Sequence, residues 1–335
     1  MKTIRFAVIG MGNIGKRHAH HIIQHPNASL VAVCDIDPNQ YKPFLSGSIE
    51  GFSHIDDLFA KSNIDVLNVC TPNYLHHSHS VDALTKGVHV VCEKPMALSE
   101  EECDAMIQAA EQHQKTIFVV KQNRYNEPVQ RVKELIQSGG LGKILMVNVN
   151  CFWNRNEQYY AESPWRGGIS TDGGCLFTQF SHFVDIMYYL LGNVTPLCGK
   201  INNYLHPYIG IEDTGSFVLQ SNEGAIVNFN YSTCSYQKNM EGAITLLGEK
   251  GTVKIGGQYL NTIEYQLIEN QILAPVLIQA KANDYGLYQG SMSNHDKVID
   301  NVVYTLNGLD EVKTNASEGK NVVKIIQAMY QCARM

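Results

Sequence analysis

Three glycines near the start of the chain have the spacing that the phosphates of a dinucleotide require. They belong to the segment GMGNIG at positions 10–15, which follows an apolar stretch and opens a helical one. Gly10 would make the tight turn, Gly12 would let the backbone approach a pyrophosphate, and Gly15 would let helix and strand pack closely. The N–H groups at the start of the helix, at Asn13 and Ile14, favour phosphate because they carry the positive end of the helix dipole.

An acidic residue at the end of the second predicted strand indicates which dinucleotide would bind. Asp35 follows the apolar run 30–34 and lies about 20 residues after Gly15. A carboxylate in that place accepts hydrogen bonds from ribose hydroxyls and repels the 2'-phosphate of NADP, so the predicted cofactor is NAD. In an alternative interpretation Asp35 only begins a turn at 35–38, for which aspartate is well suited.

The elements that position these residues alternate between strands and helices in the first half of the chain. Apolar runs rich in β-branched residues lie at 4–9, 30–34, 66–70, 88–92 and 117–120. Runs without alternation are typical of strands covered on both faces, as in a parallel sheet. Between the fourth and fifth runs, Ser99 and Glu102 form a capping box that predicts a helix over 99–113. The pattern predicts a doubly wound α/β domain.

From about residue 143 the strands alternate instead, and polar residues occupy every second position of 147–151 and 227–231. Alternation predicts antiparallel strands with one polar face. Helices are expected at 174–191, 294–307 and 317–333. The fold class is therefore α/β, with an N-terminal Rossmann parallel sheet and a C-terminal α+β domain on an open, mostly antiparallel sheet.

The expected boundaries are 1–122 for the NAD-binding domain and 123–335 for a substrate-binding and oligomerisation domain. One face of an open sheet needs cover, and a second copy of the chain is the simplest cover. The sequence thus favours a homo-oligomer, a dimer or a tetramer.

Composition excludes several classes of protein. The net charge is −6 and basic residues are not clustered, which argues against nucleic acid as a partner. No apolar stretch has membrane-spanning length, and the N-terminal segment lacks the apolar core of a secretory signal. The 9 cysteines are scattered without a close-spaced pair, which is typical of reduced thiols, so a cytoplasmic protein is expected.

Further segments resemble the glucose-fructose oxidoreductase and inositol dehydrogenase family (Gfo/Idh/MocA). The matching pieces span both halves in the family's order. They are GMGNIG with His18, TPNYLH at 71–76, Glu93-Lys94-Pro95, and the glycine pair at 173–174 followed by His182 and Asp185.

The resemblance implies an active site in the cleft between a Rossmann domain and an open-sheet domain. It implies that Lys94 is the conserved active-site lysine and His182 the histidine on a helix of the second domain. Positions that resemble those lining the dinucleotide are Thr71, Asn73, His76, Glu93 and Gln122, and Trp165 and Arg166 resemble a pair that reaches the cofactor from the second domain.

One departure from the family pattern bears on the substrate. Polyol dehydrogenases of the family usually place Asp four residues before the histidine, whereas this chain has Thr178. Segments 121–126 and 165–174 resemble UDP-N-acetylglucosaminuronate 3-dehydrogenases, which commonly lack that Asp. This resemblance implies oxidation at C3 of a UDP-linked N-acetylglucosaminuronic acid, a step of nucleotide-sugar biosynthesis for a surface polysaccharide such as lipopolysaccharide.

The oxidation of a secondary alcohol needs a base for the hydroxyl proton and stabilisation of negative charge on oxygen. His182 can serve as the base at neutral pH while the ammonium of Lys94 stabilises the oxygen. The opposite assignment, with a lysine of lowered pKa as base, is equally open at this stage.

Substrate contacts are predicted more loosely. Asn123 follows the last strand of the first domain, where ligands of such sheets bind. Arg155 suits a carboxylate or a phosphate, although a solvated surface arginine fits the sequence equally well. The remaining candidates are Thr178, Tyr288 and His295, of which His295 has the alternative of a helix-capping role beside Asn294.

Other functions remain as alternatives. The histidines at 18–25 and 76–79 lack accompanying Cys or carboxylate spacing, so no metal site is expected. A dehydrogenase of a free sugar or inositol is the main alternative, and a redox-neutral glycoside cleavage would use the same chemistry. A catalytically silent dinucleotide-binding regulator is disfavoured because both Lys94 and His182 are present.

Overall fold

The computed structural model describes residues 1–274, 282–284 and 289–334, which form two compact units. Unit 1 comprises Met1–Lys121 and His295–Val323, and unit 2 comprises Gln122–Asn294 and Lys324–Met335.

The elements are numbered in chain order. The strands are β1 (Ile4–Ile9), β2 (Ala28–Cys34), β3 (Glu50–Phe52), β4 (Val66–Val69), β5 (His89–Cys92), β6 (Ile117–Val119), β7 (Ile144–Phe152), β8 (Val194–Asn202), β9 (Thr214–Ser221), β10 (Ile226–Ser232), β11 (Glu241–Gly248), β12 (Gly251–Gly256), β13 (Thr262–Ile268), β14 (Ala282–Asp284) and β15 (Gln289–Met292). The α-helices are α1 (Asn13–Gln24), α2 (Pro38–Tyr41), α3 (Ile55–Lys61), α4 (His76–Thr85), α5 (Glu100–Gln112), α6 (Glu127–Gln137), α7 (Glu157–Ala161), α8 (Cys175–Thr178), α9 (Ser181–Leu191), α10 (His295–Leu306) and α11 (Ala316–Arg334). Short 3₁₀ turns lie at Lys42–Phe44, Asn73–Leu75 and Gln122–Tyr125.

Unit 1 contains a six-stranded parallel sheet in the order β3-β2-β1-β4-β5-β6. This is the doubly wound order of dinucleotide-binding domains. The predicted parallel sheet is confirmed, and every residue of β4 and β6 is buried, as expected for strands covered on both faces. Because all strands run the same way, their carboxyl ends share one edge of the sheet.

Residues 295–323 belong to unit 1, although the sequence was expected to place them in the second domain. The helix α10 packs against α1, where His25 Nε2 lies 3.5 Å from Asp300 Oδ1. After α10 the chain runs beside β6, and the Val119 N–H donates to the Thr314 carbonyl at 3.0 Å. These contacts give β6 a neighbour on its outer side, which its own half of the chain does not supply.

Unit 2 contains a seven-stranded sheet in the order β13-β12-β11-β7-β10-β9-β8. Neighbouring strands are antiparallel except β7 and β10, which are parallel, so the predicted open and mostly antiparallel sheet is confirmed. Buried and less buried residues alternate along β7 and β10. On the less buried face, Asn228 and Asn230 donate to Asn148 and Asn150 of the parallel neighbour at 3.0 and 3.2 Å.

The helices follow the predictions with two adjustments. Ser99 caps α5 by accepting a hydrogen bond from Glu102 N at 3.1 Å, while Glu102 accepts from Leu98 N rather than from Ser99. Such a cap contributes about 1 kcal/mol. The single helix expected over 174–191 is divided into α8 and α9, because the N–H groups of Gln179 and Phe180 both turn back to the Cys175 carbonyl.

Among the described residues no helix is both long enough and apolar enough to cross a bilayer.

Candidate active site

The turn between β1 and α1 in unit 1 fits a dinucleotide pyrophosphate. Gly10 has φ +84°, and a Cβ on Gly15 would lie 1.9 Å from the Gly10 carbonyl oxygen, so neither position accepts a side chain. A Cβ on Gly12 would meet no described atom within 4 Å, which leaves open space above the turn. The first turn of α1 receives no side-chain cap, so its N–H groups at Asn13 and Ile14 face that space.

Asp35 lies at the end of β2 beside the glycine turn. Its Oδ2 accepts a hydrogen bond from the Met11 N–H at 2.6 Å, and its Oδ1 accepts from the Asp37 N–H at 2.9 Å. The carboxylate is therefore fixed against the turn and remains partly exposed. The turn interpretation applies, because Asp35 begins the turn at 35–38, and its role toward a ribose stays a prediction.

Lys94 follows β5 at the same carboxyl edge and is partly exposed. The neighbouring Glu93 is buried and accepts from the Lys94 N–H at 3.1 Å and from His18 Nε2 at 2.9 Å. Asn68 Nδ2 donates to the other ring nitrogen of His18 at 2.8 Å, so the hydrogen of His18 is on Nε2. Burial opposes the charge of Glu93, but the contacts with His18 and His295 outweigh it and hold the pKa of Glu93 well below its usual range.

His76, at the start of α4, holds the other side of the Lys94 segment. Its Nδ1 lies 2.6 Å from the Pro95 carbonyl oxygen and its Nε2 lies 2.8 Å from the Thr71 carbonyl oxygen. Burial lowers the pKa of His76, so the ring is neutral and donates to one carbonyl at a time. Asn73 is buried in the same loop. Thr71, Asn73, His76, Glu93 and Lys94 are thus brought together around the carboxyl ends of β4 and β5.

In unit 2, His182 lies in the first turn of α9 and is 6% exposed. Asp185 is one turn further along and therefore on the same face of the helix. Arg124 binds Asp185 with two hydrogen bonds, Nε to Oδ2 at 3.0 Å and Nη2 to Oδ1 at 2.7 Å. Both side chains are almost fully buried, so this ion pair fixes the helix face that carries His182.

Asn123 is 2% exposed, and neither its Oδ1 nor its Nδ2 has a hydrogen-bond partner in the described part of the protein. A buried amide without partners is costly, by about 1–3 kcal/mol, unless another molecule supplies them. Gln122 beside it is also buried, and its carbonyl oxygen accepts from Asn294 Nδ2 at 3.2 Å. The pair Gln122 and Asn123 is well placed to bind a polar ligand.

Thr178 is buried at the end of α8, and its hydroxyl donates to Asp172 Oδ1. Asp172 Oδ2 accepts from the Gly167 N–H at 2.8 Å. A carboxylate therefore stands next to the threonine that replaces the family's usual Asp. Asp172 was not among the predicted site residues, and the only sequence signal was an acid six residues before Thr178 in the otherwise uncharged segment 167–178.

The remaining unit 2 candidates are engaged with protein groups. Arg166 stacks on the Tyr159 ring at 4.2 Å and donates to the Tyr159 carbonyl at 2.8 Å, and Trp165 beside it is partly exposed. Arg155 is 2% exposed and donates from Nε to Gln179 Oε1 at 2.7 Å. Arg155 is thus an interior residue, unlike the surface arginine that the sequence also allowed.

His295 is fully buried in unit 1, where its Nε2 lies 3.5 Å from Glu93 Oε1. Burial lowers the pKa of His295 to about 4. Its surroundings are the His18 and Glu93 side chains, and it is the first residue of α10, where its ring makes no capping hydrogen bond within the described part of the protein. Tyr288 lies outside the described residues.

Comparisons with known proteins identify the two halves of the chain. A family model described as "Oxidoreductase family, NAD-binding Rossmann fold" matches residues 4–121, and one described as "GFO/IDH/MocA C-terminal domain" matches residues 129–254.

Solved structures extend the likeness over the whole chain. The WlbA dehydrogenase from Bordetella pertussis, in complex with NADH and UDP-GlcNAcA, is 35% identical with a TM-score of 0.88 and covers 99% of this chain and 97% of its own. The WlbA protein from Chromobacterium violaceum, with the same two ligands, is 35% identical with a TM-score of 0.90 and covers 100% of this chain and 94% of its own. Among relatives found by sequence, glucose-6-phosphate 3-dehydrogenase from Bacillus subtilis is 27% identical over 98% of this chain and 95% of its own.

Proposed function

Because this chain belongs to the GFO/IDH/MocA oxidoreductase family and is an NAD-dependent sugar dehydrogenase, we propose that its substrate is a UDP-linked N-acetylglucosaminuronic acid oxidised at C3. The observation that carries the proposal is the 35% identity, over nearly the full length, with two WlbA dehydrogenases bound to NADH and UDP-GlcNAcA. Thr178 supports it, since polyol dehydrogenases of the family usually have Asp at this position.

The chain's own residues divide the chemistry as follows. When bound, NAD supplies the nicotinamide that accepts hydride from the sugar carbon. His182 takes the proton of the sugar hydroxyl on its imidazole, and the Lys94 ammonium stabilises the negative charge that develops on that oxygen. Glu93 and His76 position Lys94 through the contacts described above, and Arg124 and Asp185 position His182.

The cofactor contacts in this proposal come from unit 1. The turn at Gly10, Gly12 and Gly15 holds the pyrophosphate, with the N–H groups of α1, and Asp35 holds the adenosine ribose. Asn123 binds the polar part of the substrate, which would satisfy its two buried polar atoms. The dinucleotide roles of Gln122, Trp165 and Arg166 and the substrate roles of Arg155, Tyr288 and His295 stay predictions.

The test is a substrate panel followed by NADH absorbance. The full-length protein with NAD is expected to turn over UDP-N-acetylglucosaminuronate, and much more slowly UDP-N-acetylglucosamine, which differs only in having a hydroxymethyl group in place of the C6 carboxylate. Deuterium at C3 of the sugar is expected to slow the reaction and to appear in NADH, whereas deuterium at C4 does neither. A higher kcat/KM with free inositol or glucose would overturn the proposal.

A second candidate is a 3-dehydrogenase of a phosphorylated sugar, favoured by the likeness to glucose-6-phosphate 3-dehydrogenase over nearly the whole chain. Glucose 6-phosphate in the same panel separates the two. Turnover of it above that of the UDP-sugar acid would select this candidate.

We also propose that the protein is a homo-oligomer, a dimer or tetramer. The seven-stranded sheet exposes large apolar side chains along its strands, and a second copy would cover them. The exposed residues are Leu145, Leu197, Ile226, Tyr265 and Leu267. Light scattering that finds only monomer at micromolar concentration would refute this proposal.

A further inference from the structure

Three potential metal ligands meet in unit 2, and the dehydrogenase chemistry does not use them. His206 lies in the loop between β8 and β9, Asp213 immediately precedes β9, and Cys234 follows β10. Because Thr214 of β9 pairs with Ser232 of β10, the antiparallel register brings Asp213 and Cys234 to the same end of the two strands. We call this group the β9–β10 cluster.

The three donor atoms of the cluster converge. His206 Nδ1 lies 3.0 Å from Asp213 Oδ2 and 4.0 Å from Cys234 Sγ. All three atoms lie within 4.8 Å of one another. Ligands that share one tetrahedral metal ion are separated by about 3–4 Å, given bonds of about 2.0–2.3 Å.

The hydrogen bond made by the second ring nitrogen of His206 fixes the tautomer of the imidazole. Nε2 lies 2.8 Å from the Arg155 carbonyl oxygen, which can only accept, so Nε2 carries a hydrogen. Metal-bound histidines commonly donate their other N–H to a backbone carbonyl in this way. Nδ1 then faces a carboxylate oxygen, and either a second proton or a metal ion must lie between the two atoms.

Asp213 has the features of a buried ligand. It is fully buried, and its Oδ2 accepts from the N–H groups of Tyr204 and Leu205 at 2.9 and 2.7 Å. Its Oδ1 accepts no hydrogen bond from a described nitrogen or oxygen. Buried carboxylate oxygens normally have a partner, and a metal ion in the cluster would supply one for Oδ1.

A second group of potential metal ligands lies in the described part of the chain, but its histidine tautomer does not suit a metal ion. In the cluster of His18, Glu93 and His295, the Asn68 amide donates to His18 Nδ1, so Nε2 carries the hydrogen that points at Glu93. That nitrogen has no lone pair for a metal. In the β9–β10 cluster the hydrogen that the Arg155 carbonyl requires is on Nε2, so Nδ1 of His206 can offer its lone pair to a metal ion.

We propose that His206 Nδ1, the Asp213 carboxylate and Cys234 Sγ bind one Zn²⁺ ion, with water in the fourth position. A set of imidazole nitrogen, carboxylate oxygen and thiolate sulfur favours Zn²⁺ over Mg²⁺ or Ca²⁺, which prefer oxygen alone. Binding releases the thiol proton of Cys234 to solvent. Cys234 is partly exposed, which gives the ion a path of entry. The ion would fasten the β8–β9 loop to the end of β10.

Cobalt titration of the full-length protein, after removal of metal with EDTA, tests the proposal. One equivalent of Co²⁺ is expected to bind, to give the absorption of a tetrahedral ion with a thiolate-to-cobalt band, and to be displaced by Zn²⁺. Cys234→Ser is expected to abolish the thiolate band, and His206→Gln to weaken Co²⁺ binding by more than about tenfold. The matched control is Cys198→Ser, which removes an exposed cysteine elsewhere in unit 2 and is expected to leave the band unchanged.

The wild-type titration decides the matter even if a variant folds poorly. A wild-type protein that binds neither Co²⁺ nor Zn²⁺ has a proton between His206 and Asp213, and the proposal then fails. A thiolate band that survives Cys234→Ser, or disappears in Cys198→Ser, overturns it as well. Neither outcome bears on the substrate panel, which is run on the same protein independently.

Discussion

Lys94 is the residue on which the proposed reaction depends most. Lys94→Met keeps the length of the side chain and removes its charge, so the developing alkoxide loses its stabilisation while the glycine turn is untouched. We expect kcat to fall by about 10²–10³-fold or more, with NAD affinity unchanged.

Steady-state kinetics measures the kcat of Lys94→Met, and a fluorescence titration with NADH measures its affinity for the dinucleotide. Lys86→Met, at an exposed position just after α4, is the matched control and should behave like wild type. Retention of most activity in Lys94→Met would remove this residue from the mechanism.

Asp35 is expected to set the choice of dinucleotide. Wild type should use NAD with a much higher kcat/KM than NADP, because the carboxylate fixed by the Met11 N–H repels a 2'-phosphate. Asp35→Ser should lower the NAD to NADP ratio of kcat/KM by about tenfold or more, the value of a hydrogen bond to a charged group. Asp37→Ser, two residues away, retains a helix-capping oxygen and is the control. Equal efficiency with both dinucleotides in wild type would contradict the prediction.

At this scale the sequence predicts residues whose chemistry is local and misses those defined by distant partners. The glycine spacing and the position of Asp35 can be recognised from the sequence alone, because one turn contains the whole phosphate-binding geometry. Glu93 was expected to line the dinucleotide, which stays a prediction, and the sequence did not indicate that its carboxylate pairs with His18, 75 residues earlier in the chain. Such a pairing depends on how α1 packs against the parallel sheet, which residue types alone do not reveal.

The buried ion pair between the turn Gln122–Tyr125 and α9 acts at the scale of elements. Asp185→Asn leaves Arg124 charged and buried without its partner, which should lower the free energy of unfolding by about 3–5 kcal/mol. We expect kcat to fall more than KM rises, because His182 shares the affected face of α9. Urea unfolding and steady-state kinetics measure both changes.

Two further variants serve as comparisons for the stability loss of Asp185→Asn. Asp57→Asn breaks an exposed ion pair with Lys61 and should cost less than about 0.5 kcal/mol. The double variant Arg124→Gln with Asp185→Asn removes both charges and should recover part of the lost stability. If Asp185→Asn were no more costly than Asp57→Asn, the ion pair would have no structural role.

Elements with a strong period are predicted well, and short or interrupted ones are not. The five apolar runs of the first half correspond to β1, β2, β4, β5 and β6, whereas β3 has only three residues and was not predicted. The segment 174–191 has one helical period throughout, but the backbone turns between α8 and α9. Hydrophobic periodicity indicates which face of a helix is buried, but it does not indicate where the helical backbone hydrogen bonds are interrupted.

At the scale of the molecule, a buried acid in unit 2 makes stability depend on pH. Glu212 Oε1 accepts from Tyr330 Oη at 2.6 Å, Tyr231 Oη at 2.9 Å and Cys175 N at 3.0 Å. Burial raises the pKa of Glu212 to about 7 from 4.5. The folded state therefore favours the protonated form, a contribution that is fully present below pH 4.5 and is lost as the pH rises through 7.

Glu212→Gln keeps the accepting oxygen and removes the titration. The free energy of unfolding of the variant relative to wild type should rise by ~3 kcal/mol between pH 4.5 and pH 7, at 1.36 kcal/mol per unit of pKa shift. Urea midpoints at several pH values measure this difference. Glu223→Gln, at an exposed position, should run parallel to wild type. Parallel profiles for Glu212→Gln would show that Glu212 does not titrate in this range.

The chain leaves unit 1 at Lys121 and returns to it at His295, and this has a consequence for how the protein is made. During translation all six strands of the parallel sheet are synthesised first. The helix α10, which packs against α1, and the segment that pairs beside β6 are synthesised about 170 residues later. Until then the nascent sheet has an open edge, which invites chaperone binding or misassociation. A fragment that stops at Lys121 should for the same reason be insoluble, whereas one in which residues 295–323 follow Lys121 through a short linker should fold.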